Sequence, residues 1–196
     1  MKLEQYILTF FLFWTAMVLC TPGFAQKKYE REYSIKSNEV PQQALKLVSS
    51  IFPKSRIHWY REESLTGNSI EAKLKSSGKR FSIEFDETGN LQDVEIMSNI
   101  SEMSSEGRKV LKEELSKSFE KYRIEKVQLQ WVGQESKIKK SLLELTATDG
   151  IRTRYELIIK GTRDGKENYF EILSESDGRI VTTREIVQRN TDNLIY

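Results

Sequence analysis

The chain has 196 residues, and its 31 Lys and Arg against 29 Asp and Glu leave a formal charge of only +2. That length holds one ordinary domain or two small ones. The balanced charge, with no basic stripe interleaved with aromatics, argues against nucleic acid as a partner, and one histidine and one cysteine exclude imidazole or thiolate clusters.

The first element is an apolar run of 13 residues, Ile7 to Leu19. It is too short for a membrane-spanning helix of about 20 residues and suits the hydrophobic region of a signal peptide. Pro22-Gly23 breaks it, and Gly23-x-Ala25 supplies small residues for a peptidase, so residues 1–25 are read as a signal peptide cut after Ala25. An uncut anchor is the alternative. A lipid on Cys20 is disfavoured by the large Leu19 before it. The mature chain is then periplasmic or secreted, free of cysteine and of membrane attachment, and without disulfides must be held by its hydrophobic core.

Residues 26–39 read as a lead-in. In 40–98, Pro41 starts a helix whose stripe is Ala44, Leu45, Leu47, Val48, Ile51 and Phe52, and Pro53 stops it. The period then changes to two: Ile57-x-Trp59, Ile70-x-Ala72-x-Leu74 and Phe81-x-Ile83-x-Phe85, with Leu91–Met97 as a fourth strand. Thr66-Gly67-Asn68, Ser76-Ser77-Gly78 and Glu87-Thr88-Gly89-Asn90 separate them as hairpin turns. The order returns over 99–188. Ser104 or Ser105 caps a helix with Val110, Leu111, Leu115 and Phe119 on its stripe. Strands follow at Lys126–Trp131, Tyr155-x-Leu157-x-Ile159 and Phe170-x-Ile172, and Ser176-Asp177-Gly178-Arg179-Ile180 echoes the Gly89 turn. Gly133 to Gly150 is an insert with the makings of an amphipathic helix (Ile138, Leu142, Leu143, Leu145), and 189–196 is a tail. The fold class expected is α+β: two tandem repeats, each a helix plus a four-stranded antiparallel sheet, with helices on one face. The two sheets either join edge to edge or remain separate lobes.

The run Val40-Pro41…Ile51-Phe52-Pro53…Ile57-x-Trp59…Phe85-Asp86-x-x-Gly89-Asn90-Leu91 resembles PepSY-like proteins related to β-lactamase-inhibitor proteins, exported proteins of Bacteroidetes-type bacteria. The match is good over 40–97 and weaker over 105–187, where Ser174-Glu175 stands before the turn in place of Phe-Asp. The resemblance implies two α-β repeats whose sheet faces form one curved surface that grips an enzyme. The departure in the second half leaves the shape of that surface open, and no inhibitory residue carries over.

The residues themselves weigh against chemistry. A Ser-His-Asp triad must use His58, which sits mid-strand between Ile57 and Trp59 on the wet face. A zinc site lacks the usual His/Cys count. The carboxylate candidates for glycoside hydrolysis, Glu62-Glu63, Glu84/Asp86 and Glu113-Glu114, are adjacent or on a charged helix surface. Asp86-x-x-Gly89 and Asp177-Gly178 lack the full calcium-loop pattern and read as turns, and no glycine-rich phosphate loop occurs. The chain is therefore read as a non-enzyme with no catalytic residue, cofactor or metal.

Strand parity places His58, Tyr60, Glu71, Lys73, Lys75, Arg80, Ser82 and Glu84 on the wet face of the first repeat. Gln128, Gln130, Arg154, Glu156, Ile158, Lys160, Tyr169, Glu171 and Leu173 form that of the second. Tyrosines and aliphatics among charges have the composition of an interface, so the binding residues expected are His58, Tyr60, Arg80, Arg154, Ile158, Tyr169 and Leu173. The function expected is an exported binding module that acts through the exposed sheet face on a protein or peptide of the envelope, in the manner of a peptidase or β-lactamase inhibitor. The alternative is a small-ligand or envelope-stress scaffold with a pocket between the repeats.

Overall fold

The computed structural model describes residues 26–65 and 67–187. The expected signal peptide with Cys20, Thr66 of the first turn, and the 189–196 tail lie outside the described residues. Ten strands form a single sheet: β1 (Gln26–Lys28), β2 (Glu30–Ile35), β3 (Ile57–Ser64), β4 (Gly67–Ser76), β5 (Lys79–Asp86), β6 (Leu91–Met97), β7 (Lys121–Val132), β8 (Arg152–Arg163), β9 (Lys166–Glu175) and β10 (Ile180–Ile186). Strands β3 to β10 pair in sequence order as an antiparallel meander. The helices are α1 (Gln42–Ile51), α2 (Ser105–Ser118) and α3 (Glu135–Glu144).

The apolar residue of each alternating pair faces the helices. On that face α1 and α3 bury Ala44, Val48, Ile138 and Leu142 against Trp59, Ile70, Phe85 and Trp131. A second cluster joins Leu111, Leu115 and Phe119 to Leu157, Ile159, Phe170 and Ile172. The insert forms α3, as its amphipathic pattern indicates, although Leu143 points to solvent. Ser104 caps α2, accepting a hydrogen bond from the Gly107 amide at 3.0 Å.

Residues 26–35 change the architecture. Strand β2 pairs antiparallel with β3, from Glu30 opposite Ser64 to Ile35 opposite Trp59. Strand β1, one residue upstream, pairs parallel with β10, with Lys27 opposite Glu185. The Val187 amide continues that contact, donating to the Lys28 carbonyl at 3.2 Å. One short segment thus occupies both edges of the meander. Right-handed twist accumulates over eight strands, bulges at Glu84/Phe85, Ile124/Lys126 and Ile180/Thr182 add to the coiling, and pairing at both edges removes the exposed edges an open sheet would leave.

The expected fold class is corrected by this topology. The molecule is mostly β, one nearly closed ten-stranded sheet with three short helices, and not two tandem helix-plus-four-strand repeats. The two hairpin turns do share a geometry, since Asp86 and Glu175 each donate an amide to the carbonyl four residues on. That likeness is local, and the strands it connects belong to one sheet. A half-polar alternating pattern is equally compatible with an open layer and with a wall that curves back on itself.

Candidate functional site

Closure turns the face away from the helices into a lumen. Its walls come from alternate residues of nearly every strand, including Lys28, Glu30, Glu32, Tyr60, Glu62, Glu71, Lys73, Glu84, Glu95, Glu156 and Glu171, around a cavity of about 560 Å³. Arg56, His58, Lys75 and Arg80 line it and remain exposed, at adjoining ends of β3, β4 and β5. The rim there is basic and the deeper wall is acidic.

Inside, the charges are organised by register. Glu71 lies opposite Tyr60 on one side and Glu84 on the other, and Glu84 lies opposite Asp93. The Lys73 ammonium stands 4.9 Å from the centre of the Tyr60 ring and donates to Glu32 at 2.9 Å, with Glu71 at 3.1 Å. Lys28 reaches across the closure to Glu171 on β9 and lies 2.8 Å from Glu30. Burial alone would lower its pKa, but the carboxylates of Glu171, Glu156 and Glu30 hold it well above the usual lysine value. Ser82 donates to Glu71, Gln128 to Glu95 at 2.6 Å, and Gln130 to Asp93 at 3.0 Å.

The acids outnumber the cations that reach them, and burial raises their affinity for protons. Glu62 is pushed up to about 8 by burial and then by Glu30, and Glu156 to about 7 by burial and Glu171. Asp93 rises to about 6 by burial against the pull of Arg154 and the Gln130 hydrogen bond. Glu71, Glu84 and Glu95 are raised by burial as well. At neutral pH this wall therefore combines ionised and protonated carboxyls, which gives it donors as well as acceptors.

No family model matches the chain, and no curated protein does. Solved structures share its fold at low identity. A Bacteroides eggerthii protein named for a suggested periplasmic location is 12% identical, with a TM-score of 0.50, over 80% of this chain and 99% of that one. A BLIP-like protein of Bacteroides fragilis is 12% identical at a TM-score of 0.49, over 77% of this chain and 89% of that one. A DUF2874 family protein of Bacteroides ovatus is 10% identical at 0.49, over 80% and 96%. The first of these likenesses establishes a shared fold. One of the three bears a BLIP-like name, and none bears a PepSY-like one. Among the described residues no helix is long and apolar enough to cross a membrane.

Of the residues expected to bind, His58, Tyr60, Arg80, Ile158 and Tyr169 line the cavity together. Arg154 and Leu173 do not line it. Arg154 lies opposite Gln130, at the end of the wall where Asp93 stands, and Leu173 lies opposite Glu156. The parity assignment correctly groups these side chains on one face, but that face is not the exposed surface expected. Glu71, Ile158 and Glu171 are only 6, 7 and 3% exposed. Ile158 is covered by the closing wall and not by the insert, which packs on the opposite face. Sequence reading missed Lys28, Glu30 and Glu32, assigned to the lead-in, and Asp93, Glu95 and Lys126. Parity relative to buried Val94 and Ile96 is enough to place Asp93 and Glu95 with the lumen set.

The acidic turn residues have a local role. Asp86 accepts hydrogen bonds from the Thr88 and Asn90 amides, both at 2.9 Å. With the Thr88 and Asn90 side chains, these hold its carboxyl well below the usual range. Asp177 likewise accepts from the Arg179 side chain and amide. Both turns behave as Asx-type turns.

Proposed function

We propose that the protein is a non-enzymatic binding protein of the bacterial envelope that takes a small polar ligand into the lumen of its closed sheet. The observation that carries this reading is the closure itself. Residues 26–35 bridge β3 and β10 and convert the face expected to dock a partner into a cavity of about 560 Å³, within the range of small-molecule sites. Charged and hydrogen-bonding groups on its wall suit a ligand that is itself polar or charged, and the Tyr60, Ile158 and Tyr169 side chains give it apolar surface to lie against. The envelope location is supported by the signal-like run at Ile7–Leu19 and by the fold shared with the Bacteroides eggerthii protein. His58, the single histidine, stands exposed at the rim opposite Lys73, a poor setting for a general base in a triad. A protein partner would have to insert a segment through the rim, so docking on a flat sheet face is not retained.

Native mass spectrometry of the protein isolated from the periplasmic fraction tests this. The expected result is a bound small molecule on the wild type that is lost in Met97→Trp, a substitution that narrows the lumen at a half-buried lining position. The reading fails if the wild type carries no small molecule and gives no thermal shift with amino acids, short peptides or amines. It fails equally if a captured protein partner still binds Met97→Trp.

A further inference from the structure

Three carboxyls without an ion-pair partner stand together in the lumen wall away from the basic rim. Glu84 on β5 and Asp93 and Glu95 on β6 each offer an oxygen, and these oxygens lie within 4.8 Å of one another. Glu84 and Asp93 are direct cross-strand neighbours, an arrangement that is destabilising for like charges. Among the described residues no Lys or Arg comes within 4.0 Å of any of the three, whereas Glu71 and Glu171 each have such a partner.

A second observation is independent of the acidic cluster. Gln130 is only 6% exposed and its amide nitrogen donates to Asp93 Oδ2 at 3.0 Å, which sets its head group beside the carboxylates. Its Oε1 is buried with no hydrogen-bond partner, and so is Asp93 Oδ1. An orphaned amide oxygen beside three carboxylates asks for positive charge, because a buried acceptor left without a partner is costly. Arg154 does not meet the need. It attracts Asp93 from a distance, and its own Nε is buried without a partner.

We infer that Glu84, Asp93, Glu95 and the amide oxygen of Gln130 form a binding site for a hard divalent cation of calcium's size. All four donors are oxygens, the set preferred by calcium, magnesium and manganese over zinc or copper. Calcium binds oxygens at about 2.3–2.6 Å, so ligand atoms up to 4.8 Å apart fit across one ion. Magnesium, with contacts at about 2.0–2.1 Å and strict octahedral demands, fits this spacing less well. Four protein oxygens leave room for water to complete the shell.

Isothermal titration of the EDTA-treated full chain with CaCl2 tests the site. The expected result is saturable binding and a rise in melting temperature. Magnesium should bind at least tenfold more weakly. Asp93→Asn and Glu84→Gln should each lower calcium affinity at least tenfold while leaving the cation-free protein as stable as wild type or more so, because each replaces a buried carboxyl with an uncharged group of the same shape. The surface variant Glu167→Gln should bind as wild type does. Should the variants fail to fold, calcium-displaceable, tryptophan-sensitised Tb3+ luminescence of the wild type decides. Absence of calcium binding to the wild type, or unchanged affinity in folded variants, would overturn the assignment.

Discussion

Gly178→Ala is expected to lower the melting temperature by about 10 °C or more, whereas Gly165→Ala lowers it by only a few degrees. Both glycines sit in hairpin turns with left-handed backbone, φ +88° and +69°, so both substitutions carry about 1–2 kcal/mol of strain. Space separates them. A Cβ on Gly165 meets nothing within 4 Å, while one on Gly178 falls 2.0 Å from the Gly107 carbonyl oxygen and 2.9 Å from the Leu111 amide nitrogen. Those atoms are backbone in the first turns of α2, so relief requires moving the β9–β10 hairpin off the helix. Its contacts include the Ile180 amide, which donates to Glu114 at 3.2 Å. Overpacking of this kind adds about 1–3 kcal/mol. At this chain length each kcal/mol moves the midpoint by roughly 2–4 °C. Calorimetry on the two variants beside wild type checks the contrast. Equal shifts would mean that the hairpin does not rest on α2.

The second large effect is on pH. Stability is expected to be greatest near pH 4–5 and to fall as pH rises to about 8, with a melting temperature about 10 °C lower at pH 8 than at pH 5. Asp93, Glu156 and Glu62 bind protons in the native state with values of about 6, 7 and 8, against ordinary values of 3.8, 4.5 and 4.5. Between those limits the folded protein holds more protons than the unfolded chain, so stability falls with increasing pH. The contribution is intact below about pH 4 and lost above the native values. A single shift of two units is worth roughly 3 kcal/mol, enough for the stated change at this size. Glu71, Glu84 and Glu95 act in the same direction. Asp86 and Asp177, whose values are lowered, contribute only as pH falls through the acid range. The raised values of Lys28 and Lys73 act only in strong alkali. Thermal melts at fixed ionic strength from pH 4 to 9 measure the slope. A flat or rising curve would place these carboxyls in water and remove the lumen as described.

Strand identity and parity are legible in this sequence because the meander alternates cleanly. Ile70, Ala72 and Leu74 face the helices, and Glu71, Lys73 and Lys75 face away, as a period of two requires. The helices follow for the same reason, since Leu111 and Leu115 repeat at helical spacing and Ser104 is a good cap. Curvature is not legible. Alternation says which side chains share a face, but it does not say whether that face looks onto solvent or back at itself.

The segment that decides the matter is also the least conspicuous. Lys28, Glu30 and Glu32 alternate with Tyr29, Arg31 and Tyr33, yet the run holds only one aliphatic residue, Ile35. Its strand propensity is weak, and its pairing comes from two edges contributed by residues 57–64 and 180–186. The seven binding candidates suffered accordingly. The exposure expected of them holds for His58 and Arg80 at the rim but not for Ile158, because charged residues on a sheet ordinarily mean solvent. Here they line an interior with ion pairs that reach over one intervening strand, such as Lys28–Glu171 and Lys73–Glu32.

Residues 26–35 close the lumen by bridging both edges of the meander, and paired cysteines measure that bridge directly. In a Cys20→Ser background, Lys27→Cys with Glu185→Cys probes the β1–β10 register and Arg31→Cys with Glu63→Cys probes β2–β3. All four positions point away from the lumen, and directly opposed strand residues lie at distances a disulfide can span. Mild oxidation of the folded monomer should close both pairs intramolecularly and raise the melting temperature. Closure of the Arg31–Glu63 pair alone, with Lys27→Cys and Glu185→Cys left as free thiols, would mean that the sheet is open and its inner face is a surface.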